Sequence, residues 1–148
     1  MTKDGAVHTV YLSIGSNLGQ RERNIWQAVS EIEAGVGRVT RLSTLRETEP
    51  WGFSTPHKFV NAALCCLTTL SPRALLEATQ AIERRMGRRT KSAGSQYADR
   101  IIDIDILLYD DISVDEPDLT IPHPLMSERP FVMIPLREIM AGDSRRGV

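Results

Sequence analysis

The chain has 148 residues, of which 41% are hydrophobic and 25% are charged, and its formal net charge is -1. A chain of this length can bury a hydrophobic core within one domain, and this composition argues against an intrinsically disordered protein. A net charge near zero provides no general attraction to nucleic acid or to an anionic membrane, so we expect neither as a partner. Any binding of phosphate groups must therefore come from a local cluster of residues.

The sequence contains two cysteines, Cys65 and Cys66, which are adjacent. Neighbouring residues of a strand point to opposite faces, so the pair is poorly placed for a disulfide, and we interpret both as small buried hydrophobic residues. The first eight residues lack the apolar core of a signal peptide, and no segment is apolar for long enough to span a membrane. We therefore expect a cytoplasmic protein.

The first part of the chain predicts a strand, a tight turn and a helix. Apolar and polar side chains alternate over residues 10–14, which is typical of a half-buried strand. The segment 15–19 contains two glycines whose backbone amides could cradle phosphate, but a strand-to-helix turn is the preferred interpretation. The following helix is predicted to end at Gly35 and Gly37. Its apolar stripe consists of Ile25, Ala28, Val29 and Ile32.

The rest of the chain predicts three more long strands and a second helix. Strands are expected over residues 39–45, 59–68 and 101–109, with a short return strand over 112–114. The second helix is predicted to start at Ser71 and Pro72, because serine caps free amides and proline suits the first helical position, and to end at Gly87. Its buried stripe consists of Leu75, Leu76, Thr79, Ile82 and Met86.

The resulting order of elements, β-α-β-β-α-β, is typical of one architecture. It predicts an α+β protein of the ferredoxin-like class, in which an antiparallel sheet carries both helices on one face. Short additions are expected after the last long strand, with a polar tail from Ala141. No linker or repeat divides the chain, so a single domain is predicted over residues 1–148.

Asp103 and Asp105 form the most informative motif. Alternate residues of a strand share a face, so both carboxylates project together while Ile104 takes the other side. Two neighbouring negative charges repel each other, and a divalent cation removes that cost; Mg²⁺ is commonly held by one or two carboxylates together with substrate phosphates. The alternative is a solvated sheet face without a ligand.

Basic residues gather upstream of this pair. Arg100 lies three residues before the first aspartate, and five of the eight residues from 84 to 91 are basic. A cationic helix end explains the arginines at 84–85, because positive charge is favourable at that end of the helix dipole. Arg88 and Arg89 lie beyond the helix, where guanidinium groups could clamp phosphate oxygens. Phosphoryl transfer depends mainly on positioning and charge neutralisation, so the combination indicates transfer of a phosphate-type group from a nucleotide.

Motifs of the common nucleotide-binding classes are absent from the sequence. It contains neither G-x-x-x-x-G-K-[ST] nor the protein-kinase motif set, which excludes a P-loop protein and a protein kinase. His123 lies between Pro122 and Pro124, so its imidazole is held rigidly and could bond a nucleotide phosphate or sugar.

The few aromatic residues favour a site for a flat ring. Trp51 and Phe53 lie in a polar, proline-rich loop, and Phe59 and Phe131 are the other aromatic candidates. Such side chains can sandwich a heterocycle, although plain core packing is the alternative for each of them. Asn61 shares a strand face with Phe59, where its amide could pair with ring nitrogens or be satisfied within the core.

The order and spacing of these motifs resemble a known family. From about Val10 to Ile139 the chain is similar to 6-hydroxymethyl-7,8-dihydropterin pyrophosphokinases of folate biosynthesis. The similarity rests on the G-S-N-L-G turn at 15–19, T-E-P-W-G at 48–52, F-V-N-A at 59–62, R-I-I-D-I-D-I at 100–106, I-P-H at 121–123 and R-P-F at 129–131.

The resemblance implies transfer of diphosphate from ATP to the pterin hydroxymethyl group, with release of AMP. It implies two Mg²⁺ ions held by Asp103 and Asp105, with Arg88 and Arg100 as catalytic arginines. The pterin would lie between Phe59 and Phe131 and be bound by Asn61, Thr48, Pro50 and Trp51. The ATP-contacting positions would be Gln80, Glu83, Arg88, Tyr97, Arg100, Ile106, Thr120, His123 and Arg129. ATP and the dihydropterin are the expected partners, and a monomer is expected.

The chain departs from the family pattern at several positions. Members usually carry aromatic-Gly-Pro-Arg where this chain has Tyr97-Ala98-Asp99-Arg100, so Asp99 adds a negative charge beside a catalytic arginine. A second arginine of the family loop falls near Arg89 or Thr90. Asp118 stands where some members carry an ATP-contacting arginine, and Pro124 where some carry an aromatic residue.

Two other functions are compatible with the residues alone. The first is a nucleotide-dependent phosphotransferase with a different acceptor, which would release ADP rather than AMP. The second is a non-catalytic module that binds RNA or a regulatory ligand, since ferredoxin-like folds host many functions. The second is disfavoured by the lack of positive charge and of the aromatic pattern of RNA-recognition domains.

Overall fold

The computed structural model describes residues 3–49, 57–87 and 100–141, with the side chains of 3, 4 and 141 excepted. Its elements are β1 (Lys3–Ser16), α1 (Arg21–Gly35), β2 (Gly37–Leu42), β3 (Arg46–Thr48), β4 (Phe59–Leu70), α2 (Pro72–Arg85), β5 (Asp103–Tyr109), β6 (Val114–Glu116), β7 (Leu119–Ile121), a 3-10 turn (Met126–Glu128) and α3 (Pro130–Ala141).

The protein is a mixed α/β structure built on an antiparallel sheet. Strands of the main sheet lie in the order β2-β4-β1-β5, and the short β3 pairs with the first residues of β4. Strands β6 and β7 form a separate two-stranded ribbon. The predicted long strands and both predicted helices are therefore confirmed as elements. The return strand expected over 112–114 lies later in the chain, as β6, and pairs with β7 and not with β5.

The alternation of side chains along each strand creates two cores, one on each face of the sheet. On one face, residues such as Leu12, Leu64 and Ile104 pack with the apolar stripes of α1 and α2. On the other face, a smaller cluster that includes Ala63 and Leu107 packs against α3. Burying apolar surface stabilises the protein by about 25 cal/mol per Å², so both layers hold the sheet in place.

The turns around the two predicted helices follow the local chemistry of the sequence. Gly19 has φ +72° in the turn between β1 and α1, a conformation that L side chains rarely adopt, which confirms the strand-to-helix turn. The Ser71 side chain accepts a hydrogen bond from the Ala74 amide at 3.2 Å, as expected of a helix cap.

Helix α3 was not among the predicted elements. Pro135 lies inside it, and proline in a helix interior removes a hydrogen bond and disfavours the helix by about 3 kcal/mol. The helix forms nevertheless, because Val132, Leu136 and Ile139 are all buried against the sheet. None of the helices in the described ranges combines the length and the apolar composition that crossing a bilayer requires.

The two cysteines are free thiols buried on opposite faces of β4, as predicted. Burial, which disfavours the thiolate, raises the pKa of Cys66 to about 12.

Candidate active site

The polar end of the sheet gathers side chains from its three central strands. Gly15 of β1 lies opposite Asn61 of β4 on one side and opposite Asp103 of β5 on the other. Ser13, two residues earlier on β1, lies opposite Asp105. Paired residues of antiparallel strands present their side chains to the same face, so both carboxylates and the amide lie on one surface, which is the face that carries α3 further along.

Both aspartates are half-buried on this surface, in agreement with the prediction that their side chains project together. Within the described ranges, no group of three or more His, Cys, Asp or Glu side chains is arranged to hold a metal ion. Two carboxylates on one face are nevertheless a donor set that would fit Mg²⁺, which proteins commonly hold by one or two carboxylates together with substrate phosphates.

Arg100 lies just before β5, against the turn that follows β1. The residue is 7% exposed, and its backbone amide donates to the Asn17 side-chain oxygen at 2.6 Å. Its carbonyl accepts hydrogen bonds from the Asn17 amide at 2.9 Å and the Leu18 amide at 3.2 Å. The turn after β1 thus fixes the main chain of the predicted catalytic arginine.

Four of the predicted pterin-binding residues come together beside the carboxylates. Thr48 of β3 lies opposite Phe59 of β4, and the Asn61 side-chain amide donates to the Thr48 hydroxyl. A cavity of about 180 Å³ lies between β3 and α3, and it is lined by Arg46, Thr48, Pro130, Phe131, Ile134 and Pro135. Tertiary packing therefore brings Phe131 to the same region as residues more than sixty positions earlier.

Gly15 leaves room for the side chains of Asn61 and Phe59, which pack against it. A Cβ atom at Gly15 would lie 2.6 Å from the Asn61 side-chain oxygen and 3.4 Å from an aromatic carbon of Phe59. Only a residue without a side chain leaves the amide and the ring in their observed places. Sequence reasoning placed Gly15 in the turn and missed this packing role, because it depends on which residues face it across the sheet.

Several predicted ATP-contacting residues lie along the open edge of β5. Glu83 of α2 is buried, and its carboxylate accepts a hydrogen bond from the Ile104 amide at 2.8 Å. Gln80, one turn earlier on α2, is half-buried. The His123 amide donates to the Leu107 carbonyl at 3.1 Å, which attaches the segment after β7 to β5. These contacts make the edge of β5 a meeting point of α2 and the C-terminal segment.

The other predicted ATP contacts are more scattered. Thr120 is exposed on β7, whereas Arg129 is 7% exposed and its guanidinium carbon lies 5.8 Å from the centre of the Phe131 ring. Ile106 lies opposite Leu12 within the core under α1 and α2. Its side chain is therefore on the opposite face of the sheet from the two carboxylates.

Four predicted site residues, Pro50, Trp51, Arg88 and Tyr97, lie outside the described residues. The departures noted at Asp99, Arg89 and Thr90 lie there as well. Asp118 is described, and its carboxylate pairs with the Arg73 guanidinium at 2.8 Å, an ion pair that holds its pKa below the ordinary value.

A tether that the sequence did not reveal connects α3 to the strand bearing Thr48. One Glu138 oxygen accepts from the Thr44 amide at 2.8 Å and from the Thr44 hydroxyl at 2.9 Å. The other oxygen lies 3.0 Å from an Arg46 guanidinium nitrogen. The Thr44 amide, followed by the Thr44 hydroxyl and Arg46, holds the pKa of Glu138 below its ordinary value of 4.5.

The chain matches the family described as "7,8-dihydro-6-hydroxymethylpterin-pyrophosphokinase (HPPK)" over residues 11–141. A Porphyromonas gingivalis protein named 2-amino-4-hydroxy-6-hydroxymethyldihydropteridine pyrophosphokinase is 49% identical over 131 residues, which are 88% of this chain and 89% of that protein. The protein of the same name from Bacillus subtilis is 39% identical over 87% of this chain and 76% of its own length.

Comparison with solved structures shows the same fold. The crystal structure of Plasmodium falciparum HPPK-DHPS with SDX-DHP superposes with a TM-score of 0.73 at 15% identity. The match covers 91% of this chain and 41% of that longer chain, so this protein spans about two fifths of it. The family match and the curated relatives establish that the chain belongs to the 7,8-dihydro-6-hydroxymethylpterin-pyrophosphokinase family.

Proposed function

We propose that this protein transfers diphosphate from ATP to the hydroxymethyl group of 6-hydroxymethyl-7,8-dihydropterin, giving AMP and the pterin diphosphate, as a step of folate biosynthesis. The observation that carries the proposal is the family match over residues 11–141, with 49% identity to a relative named for this activity. The gathering of Asn61, Asp103 and Asp105 around Gly15 supports it, because the acceptor and donor sites must adjoin.

The acceptor site is proposed on the Thr48 side of this surface. The pterin would lie between the rings of Phe59 and Phe131, whose faces attract a flat heterocycle. The Asn61 amide and the Thr48 hydroxyl, already bonded to each other, supply donors and acceptors for its polar edge. Pro50 and Trp51 are proposed as further contacts from the loop between β3 and β4.

The donor site is proposed along β5. Asp103 and Asp105 would hold two Mg²⁺ ions, which when bound neutralise the phosphate oxygens and polarise the phosphorus that is attacked. The side chains would hold the nucleotide so that its β-phosphorus faces the pterin hydroxyl, and in-line attack would need no covalent intermediate on the protein. Proposed ATP contacts are Gln80, Glu83, Arg88, Tyr97, Arg100, Ile106, Thr120, His123 and Arg129.

The arginines are proposed to stabilise the transferring group. Arg100 has its backbone anchored by the turn after β1, so its guanidinium can be preorganised for charge that develops in the transition state. Arg88 is proposed as its partner from the segment after α2. For Ile106, whose side chain is in the core, a contact through the backbone is the arrangement that fits.

The test is an assay of the nucleotide product. With ATP, Mg²⁺ and the dihydropterin, we expect AMP and pterin diphosphate; ADP instead of AMP would indicate a phosphotransferase of another kind, and no turnover would contradict the proposal. Asp105→Asn should lower kcat at least a hundredfold, because charge neutralisation is central to this chemistry. Asp111→Asn, which removes an exposed carboxylate from the turn after β5, is the matched control and should keep full activity.

The finer description of the architecture is also proposed. The order β2-β4-β1-β5, with α1 and α2 contributing to one core, supports the ferredoxin-like class with β3, the β6-β7 ribbon and α3 as additions. A single domain over residues 1–148 and a monomeric state remain predictions. Sedimentation analysis of the purified chain tests the monomeric state.

A further inference from the structure

The Asn17 side chain connects three separate segments at the candidate site. Its oxygen accepts a hydrogen bond from the Arg100 amide at 2.6 Å, and its amide nitrogen donates to the His57 carbonyl at 3.1 Å. The residue is 2% exposed, so neither contact is exchanged readily for water. Two further backbone bonds, from the amides of Asn17 and Leu18 to the Arg100 carbonyl, hold the same pair of segments together.

The two bonded segments lead to opposite halves of the site. His57 lies two residues before Phe59, on the acceptor side. Arg100 belongs to the donor side and lies three residues before Asp103. Pairing with β1 fixes β4 from Val60 onward and β5 from Asp103 onward, but the main chain leading into each strand lies before the first of these pairs. Asn17 therefore spans the gap between the entries to β4 and β5.

We propose that Asn17 is a positioning residue that sets the acceptor side and the donor side of the site relative to each other. The inference rests on the proposed function. The bond to the Arg100 amide fixes the main-chain position from which the arginine side chain extends. The bond to the His57 carbonyl fixes the main chain that leads to Phe59. Phosphoryl transfer depends on alignment, and displacement by about 1 Å can cost about a hundredfold in rate.

Stabilisation of the turn after β1 can be tested separately from positioning of the site, because a second asparagine also stabilises this turn. The Asn24 side chain donates to the Leu18 carbonyl at 2.9 Å and to the Ser16 hydroxyl at 3.2 Å. It thus holds the same turn with the same kind of side chain, but bonds neither Arg100 nor His57 in these contacts. Asn24→Ala is therefore the matched control for Asn17→Ala.

The first measurement is steady-state kinetics with both substrates varied. Asn17→Ala should lower kcat by about 10- to 100-fold, the usual range for residues that orient the side chains in direct contact with a ligand. The kcat of Asn24→Ala should stay within about twofold of that of the unmodified protein. The dissociation constant for a non-hydrolysable ATP analogue with Mg²⁺ should change far less than kcat. Equal kcat losses in the two variants, or unchanged kcat in Asn17→Ala, would overturn the proposal.

An isosteric variant covers the case in which Asn17→Ala fails to fold. Asn17→Asp keeps an oxygen for the Arg100 amide and replaces the donor to the His57 carbonyl by a negatively charged carboxylate oxygen. It should retain more of kcat than Asn17→Ala and raise the KM for pterin, because the bond on the acceptor side is the one that is lost. A loss of kcat as large as in Asn17→Ala, without change in the KM for pterin, would refute the two-arm arrangement.

A third measurement does not require turnover. Hydrogen exchange at the Arg100 amide, read by NMR, should accelerate at least tenfold in Asn17→Ala and remain slow in Asn24→Ala and Asn17→Asp. Slow exchange in Asn17→Ala would contradict the proposed anchoring even if the protein transfers diphosphate. If exchange is fast in Asn17→Ala but the unmodified protein produces no AMP, the anchoring by Asn17 stands and the proposed function fails.

Discussion

Replacing Gly15 by alanine adds one methyl group at the centre of the candidate site. The new Cβ would lie 2.6 Å from the Asn61 side-chain oxygen, closer than carbon and oxygen tolerate, and 3.4 Å from Phe59, which is an ordinary contact. Asn61 is 4% exposed and its amide is bonded to Thr48, so it has little free room. We therefore expect the amide to move and to lose its bond geometry.

The size of the effect follows from the bond that is disturbed. A net hydrogen bond in a protein is worth about 0.5–1.5 kcal/mol, and about 1.4 kcal/mol corresponds to a factor of ten in an equilibrium constant. If Asn61 binds the pterin edge, Gly15→Ala should raise the KM for pterin by roughly 2- to 12-fold. The dissociation constant for the ATP analogue should change by less than about twofold, because the crowded atoms face Asn61 and Phe59.

The assay is initial-rate kinetics with pterin varied at saturating ATP and Mg²⁺. Gly35→Ala is the control, since a Cβ there meets nothing within 4 Å. An unchanged KM for pterin in Gly15→Ala, or an equal loss of affinity for both substrates, would refute the assignment of Asn61 to the acceptor site.

Two further predictions concern stability. Glu138→Gln should lower the melting temperature at pH 7. Contacts with Thr44 and Arg46 hold the Glu138 pKa below 4.5, so the difference in melting temperature should persist above pH 4.5 and shrink as the pH falls through the folded-state pKa. A difference that grew in acid would contradict the tether. Gly37→Ala would place a Cβ 2.0 Å from the Leu67 carbonyl oxygen, so thermal or urea unfolding should show a loss of more than about 2 kcal/mol, and full stability would contradict the observed strand pairing.

The parts of the fold that follow from local patterns could be predicted from the sequence. Alternation along β1 and β5 sets which side chains share a face, and this is why Asp103 and Asp105 were expected together. Helix starts were readable where a residue has one dominant role, as Ser71 does in capping α2.

Features that depend on contacts between distant segments could not be predicted. The sequence of α3 contains a proline that disfavours a helix, and only burial against the sheet offsets it. The packing role of Gly15, the Glu138 tether and the two-armed bonding of Asn17 each depend on residues at least 40 positions away. No local pattern encodes such distances.

Ile106 illustrates the limit of carrying a contact over from a family. The same alternation that places both carboxylates on one face places Ile106 on the other, and its side chain is 6% exposed within the helix-side core. A family contact at this position is therefore compatible with the geometry only if it is made by the main chain.

The most direct test of the central claim is a calorimetric titration with a non-hydrolysable ATP analogue, with and without Mg²⁺. The unmodified protein should bind the nucleotide tightly only when Mg²⁺ is present, and Asp103→Asn combined with Asp105→Asn should abolish the Mg²⁺-dependent gain while the protein stays folded. Equal affinity with and without Mg²⁺, or a full gain in the double variant, would contradict the assignment of the two carboxylates to the donor site.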